Sequence, residues 1–398
     1  MTSSINSNQK GYEMRTEQSM KKLALAAAVA ACSLNAHAGA TVSFGEDKSI
    51  SIGFGMRFSG SAVEDAATNN KNYSSDFSLD SARIFLGGSL NKYISGFFNT
   101  EKDGDTIKVL DAVVKFTIAP EFNVWVGRVL SPSDRANMAG AYYSLGGGYW
   151  QSEASRYGYN GGIFRGRDDG VVVWGQVADG KLSYALGVAE GHTFGIGALT
   201  QSQAKAAGTS SKDSFMYSGR LQYDFWDAEP GYYGTGNYLG SKDILAIAIA
   251  GRYQKNGVLT GDPVTPTPGA KGDYGSYNID FLLEKKIKGY GGVSFEAAYY
   301  DYDTDNLIQS EEGKAYSAGA GYVFEQPVGW GKVQPFVRWQ RFNADNDVDS
   351  KAYDVGVLYI IDGYNAQISA TYRKFKSSGG LSTKVDQDSF TAAMQFQF

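Results

Sequence analysis

The sequence predicts an all-β chain that closes into a transmembrane antiparallel β-barrel of about 16 strands. Segments of about ten residues with alternating apolar and polar side chains recur from residue 50 to the carboxyl terminus. Short and long polar connections alternate between these segments. Apart from one shorter run near the amino terminus, no apolar stretch approaches the roughly 18 residues that a spanning helix needs. These observations predict strands with one face toward lipid and the other toward a water-filled lumen.

Residues 1–38 are predicted to be an amino-terminal extension followed by a signal peptide that is cleaved on export. The lysines at 21–22 form the basic region, residues 23–34 the apolar core, and Ala-His-Ala at 36–38 the cleavage site. The barrel domain would then comprise residues 39–398.

Two features of this leader leave alternatives open. Residues 1–19 are polar and precede a second methionine, Met20, so they are either an extended basic region or an over-long reading frame. The single cysteine, Cys32, follows Val-Ala-Ala, which is also a weak lipoprotein box. If the leader is removed at 36–38 instead, the mature chain has no thiol, which suits an exported protein without disulfides.

The first strand of the barrel domain shows the alternation clearly. One face is predicted to carry Ile50, Ile52, Phe54, Met56 and Phe58, and the other Ser51, Gly53, Gly55, Arg57 and Ser59. Later segments repeat it, with Leu110, Ala112, Val114 and Phe116 opposite Asp111 and Lys115, and with Tyr364, Ala366, Ile368 and Tyr372 opposite Asn365, Gln367 and Arg373. A charged, glycine-rich face is unsuited to a soluble core, so the polar face is predicted to line the lumen.

Connection lengths support the same fold. Short connections lie near residues 91–92, 119–120, 179–180, 288–289 and 362–363. Long polar loops are predicted at 62–75, 131–167, 190–213, 255–272, 303–313, 343–350 and 376–386. Short turns belong to the periplasmic end of such a barrel and long loops to the outside. The connection at 227–241 is an exception, because it is long for a periplasmic turn.

The longest irregular stretch, residues 131–167, lies between the fifth and sixth predicted strands as the third external loop. We expect it to fold inward and to form the constriction. Its candidate residues are Asp134, Arg135, Tyr142, Tyr143, Arg156, Arg165 and Arg167. The tyrosines form either an aromatic lining that solutes contact or a surface that packs the loop against the wall.

Arginine recurs on the predicted lumenal face, at Arg57, Arg83, Arg220, Arg252, Arg338 and Arg373. Guanidinium groups suit phosphate and carboxylate, so a row of them could form a path for anions. Alternatively, they pair with acidic residues across the wall, as in a general porin. Those acidic residues would be Asp111, Asp224, Asp280, Glu284, Glu296 and Asp354.

Other functional classes have little support in the sequence. Beyond the leader the chain has one histidine, His192, and no cysteine, so Ser-His or Cys-His catalysis lacks its components. No zinc spacing, phosphate-binding loop or dinucleotide motif occurs, and no cofactor is expected. A formal net charge of −5 disfavours nucleic acid as a partner. The acidic stretches 301–306 and 345–349 are either solvated loop charge or weak cation sites.

Three segments resemble the phosphate-selective porin O/P family: residues 166–171, 225–233 and 242–246. The last predicted strand, which ends at the aromatic residue Phe398, also resembles the closing strand of bacterial outer-membrane proteins. The resemblance implies a trimer of sixteen-stranded barrels that passes phosphate or pyrophosphate along lumenal arginines and a lysine-bearing loop. Residues 131–167 contain no lysine, which departs from that pattern.

The expected function is that of an outer-membrane porin for passive diffusion of small hydrophilic solutes, with anions weakly favoured. The expected partners are outer-membrane lipid and lipopolysaccharide, small solutes or anions, and two further copies of the chain. The alternative is a structural barrel whose external loops bind a surface partner and whose lumen the loop at 131–167 plugs.

Overall fold

The computed structural model describes residues 39–67, 71–158, 164–191, 214–262, 267–379 and 384–398, so the leader and His192 lie outside the described residues. One short helix, α1 (Arg135–Ala139), occurs among them. None of the described residues forms a helix with the length and apolar character to cross a bilayer.

The strands are β1 (Ala40–Ser43), β2 (Ser49–Val63), β3 (Ser74–Ser89), β4 (Ile94–Asp103), β5 (Thr106–Ala119), β6 (Phe122–Leu130), β7 (Tyr157–Gly158), β8 (Phe164–Arg165), β9 (Arg167–Val177), β10 (Leu182–Ala189), β11 (Met216–Asp224), β12 (Ile244–Asp262), β13 (Thr267–Ile287), β14 (Gly291–Asp303), β15 (Gly313–Phe324), β16 (Lys332–Ala344), β17 (Asp349–Asp362), β18 (Ala366–Ser378) and β19 (Val385–Gln397).

Sixteen strands, β2–β6 and β9–β19, form one closed antiparallel barrel. Each pairs with its neighbour in sequence, and β9 follows β6 directly in the sheet. The barrel closes where β19 pairs with β2, from Ser389 opposite Val63 to Gln397 opposite Gly55. Strand β1 folds back on β2, and β7 and β8 form a small separate pair. The predicted fold class is confirmed.

The two faces of the sheet differ as the alternation predicts. On β2, Ile50 and Ile52 are 53% and 52% exposed, whereas Arg57 is 6% exposed. Exposed aromatic side chains cluster near both rims: Tyr93, Phe122, Tyr290, Phe324 and Trp330 at the end with the short turns, and Tyr217, Tyr253, Tyr277 and Tyr353 toward the other. A closed sheet with an apolar belt between aromatic rims is the arrangement of transmembrane barrels. We call the two rims the turn end and the loop end.

Three positional predictions were wrong. Leu110 is buried rather than outward, because a bulge opposite Asn99 and Thr100 leaves it without a partner in the ladder. Tyr364 precedes β18 and turns inward, where its hydroxyl donates to the Asn237 carbonyl at 2.7 Å. The loop predicted at 255–272 is mostly strand, because β12 and β13 continue through it with a register shift after Gln254. Alternation weakens at such irregularities, so sequence misplaces faces and ends there.

Candidate functional site: the obstructed lumen

The connection between β6 and β9 folds into the barrel, as predicted. We call its described residues, 131–158 and 164–166, the inward loop. It contacts strands that lie well apart around the wall: the Tyr142 hydroxyl donates to Ser81 on β3 at 3.1 Å, and Arg338 on β16 donates to the Leu145 carbonyl at 3.0 Å. Gln395 on β19 donates to the Tyr142 carbonyl at 3.2 Å. The loop therefore crosses the lumen and is fixed to several strands.

A glycine run lets the inward loop pass close to the wall. Gly146, Gly147 and Gly148 all have positive φ, between 71° and 74°. A Cβ atom on Gly146 would lie 2.6 Å from the ring of Phe336, and one on Gly148 would lie 3.2 Å from Arg57. Only glycine fits both the backbone conformation and the space.

A second segment enters the lumen from the turn end. Residues 225–243, which we call the turn insert, join β11 to β12 and carry the buried side chains Glu229, Tyr232, Asn237 and Tyr238. The Tyr232 hydroxyl donates to the Leu130 carbonyl at 2.5 Å. This explains the long connection at 227–241. The sequence signal for this insertion was a long connection with several aromatic residues at a place where a short periplasmic turn is expected. The sequence alone could not show where those aromatic residues pack.

Arg135 joins the two insertions. Its guanidinium donates two hydrogen bonds to Glu229, at 2.8 and 2.7 Å, and a third to the Thr235 carbonyl at 2.8 Å. Its Nε lies 3.5 Å from Asp280 on β13. Burial by itself raises the pKa of Glu229, but the attraction and hydrogen bonds of Arg135 hold that pKa below its ordinary value. A buried bidentate ion pair thus connects the inward loop, the turn insert and the wall.

Most of the predicted lumenal arginines are also paired. Arg83 bonds Glu101, Arg220 bonds Asp280 through two nitrogens, and Arg338 bonds Asp354. Arg373 reaches Glu153 of the inward loop at 3.2 Å and Asp354 at 3.9 Å. The Arg252 guanidinium lies over the ring of Tyr157 at 4.2 Å. These contacts follow the pairing alternative, with Glu101, Glu153 and Glu229 as partners that sequence did not identify.

Arg57 differs from these arginines. It donates to Gln395 at 2.6 Å, and within the described ranges it forms no ion pair with a carboxylate. The backbone of Gly147 and Gly148 lies beside it. Arg57 is therefore a lumenal guanidinium with no directly bonded carboxylate among the described residues.

The predicted constriction residues are distributed along the inward loop. Asp134 accepts a hydrogen bond from the Tyr300 hydroxyl at 2.9 Å, and burial raises the pKa of its carboxyl. The ring of Tyr143 packs edge-on to Tyr364 at 4.8 Å. Arg156 pairs with Glu311 near the loop end, and Arg167, at the start of β9, bonds Asp111 at 3.0 Å. The side chain of Arg165 lies outside the described residues.

Two cavities flank the inward loop. The outer cavity, of about 250 Å³, is lined by Arg57, Arg338 and Arg373 together with Asp80, Glu101 and Asp354. The inner cavity, of about 280 Å³, lies toward the turn end between the inward loop and the turn insert, and Arg83 and Arg167 line it. The inward loop separates them, with Ala141 and Gly148 on the outer cavity and Ala139 and Gly140 on the inner one. Tyr142 lines neither cavity but contacts one residue of each: its hydroxyl is bonded to Ser81 of the outer cavity, and its ring centre lies 4.7 Å from the guanidinium of Arg83 of the inner cavity.

A closed sixteen-stranded barrel with the third connection at its loop end folded inward is the fold of bacterial outer-membrane porins. The anion-selective porin from Comamonas acidovorans is similar in structure, with a TM-score of 0.57 and 14% sequence identity over 88% of this chain and 100% of that one. OprB of Pseudomonas putida has a TM-score of 0.57, 11% identity and coverages of 89% and 94%. The channel DcaP of Acinetobacter baumannii has a TM-score of 0.54, 9% identity and coverages of 90% and 100%.

These likenesses establish the fold. No protein-family model matches the chain, and no curated protein matches it in sequence. Membership of the phosphate-selective porin O/P family therefore stays a prediction.

Proposed function

We propose that this protein is an outer-membrane porin that lets small hydrophilic solutes diffuse passively, with a weak preference for anions. The observation that carries the proposal is the pair of cavities on either side of the inward loop, inside a barrel whose outer surface is apolar. A solute would pass from the loop end through the outer cavity, cross the contact between Tyr142 and Arg83, and leave through the inner cavity.

The weak anion preference is argued from the charges around the outer cavity. The positive groups that line this cavity are Arg57, Arg338 and Arg373, and the negative groups are Asp80, Glu101 and Asp354. These charges are equal in number, so the preference rests on Arg57, the one of the three arginines that has no ion pair among the residues the structure describes. Fixed charge in a narrow pore raises the local concentration of the opposite ion.

Specific phosphate capture is less well supported than general anion passage. The extensive pairing of Arg83, Arg220 and Arg338 with carboxylates leaves few guanidinium groups to replace a phosphate hydration shell. The three segments that resemble the phosphate-selective porin O/P family support a trimeric porin and leave the solute open. The leader at 1–38 supports export, and the apolar outer belt supports insertion in the outer membrane.

Planar-bilayer recording of the purified protein tests the channel. We expect steady ohmic current from single insertions. Absence of current from correctly folded protein would overturn the channel and favour the structural barrel.

A salt gradient tests the charge argument. We expect the reversal potential to show a preference for chloride over potassium. Arg57→Gln should reduce the ratio of chloride to potassium permeability by roughly twofold to threefold, because in water a single charge several ångströms from the ion path changes the ion's energy by only a fraction of a kcal/mol. The matched control is Arg128→Gln, which removes the same charge from an exposed ion pair with Asp169. Equal reversal potentials for both variants would overturn the role of Arg57.

A further inference from the structure

We propose that the inner cavity is a binding subsite for neutral ring-shaped polyols, of which a pyranose sugar is the simplest member. The inference deepens the proposed channel function by naming the solute class of one part of the path, and it rests on that function. Four features of the cavity support it: aromatic walls, their rigidity, its neutralised charges, and buried polar atoms without partners.

Aromatic side chains line the inner cavity from both insertions and from the wall. They include Phe97, Trp125, Tyr143, Tyr232, Tyr233 and Tyr364. Binding pockets of this kind combine apolar and aromatic faces with a few polar groups that orient the ligand. The faces of these rings offer apolar surface to the C–H groups of a sugar ring. The cavity, at about 280 Å³, is also larger than the ~150 Å³ that accommodates benzene.

The rings are held in place before any solute arrives. Tyr232 packs against Trp125 at 4.7 Å and Trp174 at 5.8 Å between ring centres. Tyr143 and Tyr364 pack edge-on, and the Tyr364 hydroxyl is bonded to the Asn237 carbonyl. Rigid contact surfaces lose little conformational entropy on binding, so they favour a rigid ring over a flexible chain.

The charged side chains that line the inner cavity are paired, and the ammonium of Lys115 lies behind the wall, 4.2 Å from the centre of the Trp125 ring. Arg83 pairs with Glu101, and Arg167 pairs with Asp111. The second oxygen of Asp111 accepts a hydrogen bond from Asn99 at 3.3 Å. An inorganic anion would meet carboxylates and little net positive charge there, whereas hydroxyl groups can both donate to the carboxylates and accept from the guanidiniums. The charge pattern favours a neutral polyol.

Three residues of the lining carry buried polar atoms with no hydrogen-bond partner among the described residues. They are the side-chain oxygens of Asn99 and Asn137 and the hydroxyl of Tyr233. A buried polar atom without a partner costs free energy, so a solute hydroxyl that supplies one is favoured. All three atoms are covered by neighbouring groups, and binding requires a small shift of the side chains.

The test compares two solutes of similar size and hydroxyl content, glucose and sorbitol, of which only the first is a ring. Isothermal titration calorimetry of the intact protein in detergent measures binding without relying on conductance, and bilayer recording measures block of the ion current. We expect glucose to bind saturably and to reduce the current. Sorbitol should bind at least about fivefold more weakly, because an open chain loses roughly one contact with an aromatic ring. Equal binding of the two solutes would overturn ring selectivity.

Variants locate the subsite. Tyr143→Leu removes an aromatic wall of the inner cavity, and we expect about fivefold weaker glucose affinity. The control, Tyr149→Leu, removes an aromatic residue that lines the outer cavity, and its glucose affinity should match the unmodified protein. Equal losses in both variants would overturn the location.

Three further outcomes separate the hypotheses. Displacement of glucose by millimolar inorganic phosphate would overturn the neutral-polyol assignment and favour an anion site. Normal ion current without saturable glucose binding would refute this inference and leave the channel intact. Glucose binding without current would refute the channel instead.

Discussion

Replacing Glu229 with glutamine removes the charge that joins the turn insert to the inward loop. Arg135 is 2% exposed, and its strongest contacts are the two hydrogen bonds to Glu229. Breaking a buried ion pair by removing one partner costs about 3–5 kcal/mol. Asp280 remains 3.5 Å from the Arg135 Nε, and glutamine retains one acceptor, so we expect the lower limit, about 3 kcal/mol.

That free energy is a shift of roughly a hundredfold in the equilibrium between a docked and an undocked turn insert. Undocking widens the path at the turn end, because the insert forms one wall of the inner cavity. In bilayer recordings we expect higher mean conductance and more open-channel noise in Glu229→Gln. Thermal unfolding should show a lower midpoint for the variant.

The matched control is Asp243→Asn, at the base of the same insert. Asp243 pairs with Lys285, and both side chains are substantially exposed. Exposed pairs contribute only about 0–1 kcal/mol, so conductance and unfolding should be nearly unchanged. If Glu229→Gln behaves like Asp243→Asn in both assays, the reasoning about the buried pair is refuted. Replacing Arg135 and Glu229 together with methionine should recover much of the stability, because no buried charge is left unpaired.

Two further predictions concern the inward loop. Gly146→Ala places a Cβ against the ring of Phe336, on a backbone with positive φ. We expect at least about 1–2 kcal/mol of destabilisation, measured as a lower midpoint of thermal unfolding. The control is Gly45→Ala, whose added Cβ has no neighbouring atom within 4 Å. Asp134→Asn keeps an acceptor for Tyr300 and removes a carboxyl whose pKa burial raises. Because this pKa is raised in the folded state, the native protein loses stability as the pH rises above the unfolded-state pKa of about 3.9. Asparagine does not ionise, so Asp134→Asn should avoid this loss. The gain in unfolding free energy should be full above the raised pKa and absent below about pH 4. A gain that does not depend on pH would contradict the burial argument.

The barrel wall followed from local pattern. A period of two places every second residue of β2 on the same face, so Ile50 and Ile52 face outward and Arg57 inward whatever the rest of the chain does. Closure followed from the same pattern, since a sheet with an apolar outer belt has no polar partner for open edges. The approach misplaced Leu110, because a bulge shifts the alternation by one residue there and so changes the face on which the side chain lies.

The contents of the lumen depended on tertiary structure. Sequence placed residues 131–167 inside the barrel and identified the arginines that face it. It could not pair Arg135 with Glu229, which are 94 residues apart, or Arg338 with the Leu145 carbonyl, 193 residues apart. Such contacts arise only when two irregular segments without periodicity meet in a closed space. Alternation therefore determined the wall, and the meeting of the inward loop with the turn insert decided which charges are neutralised and which aromatic rings the solute path exposes.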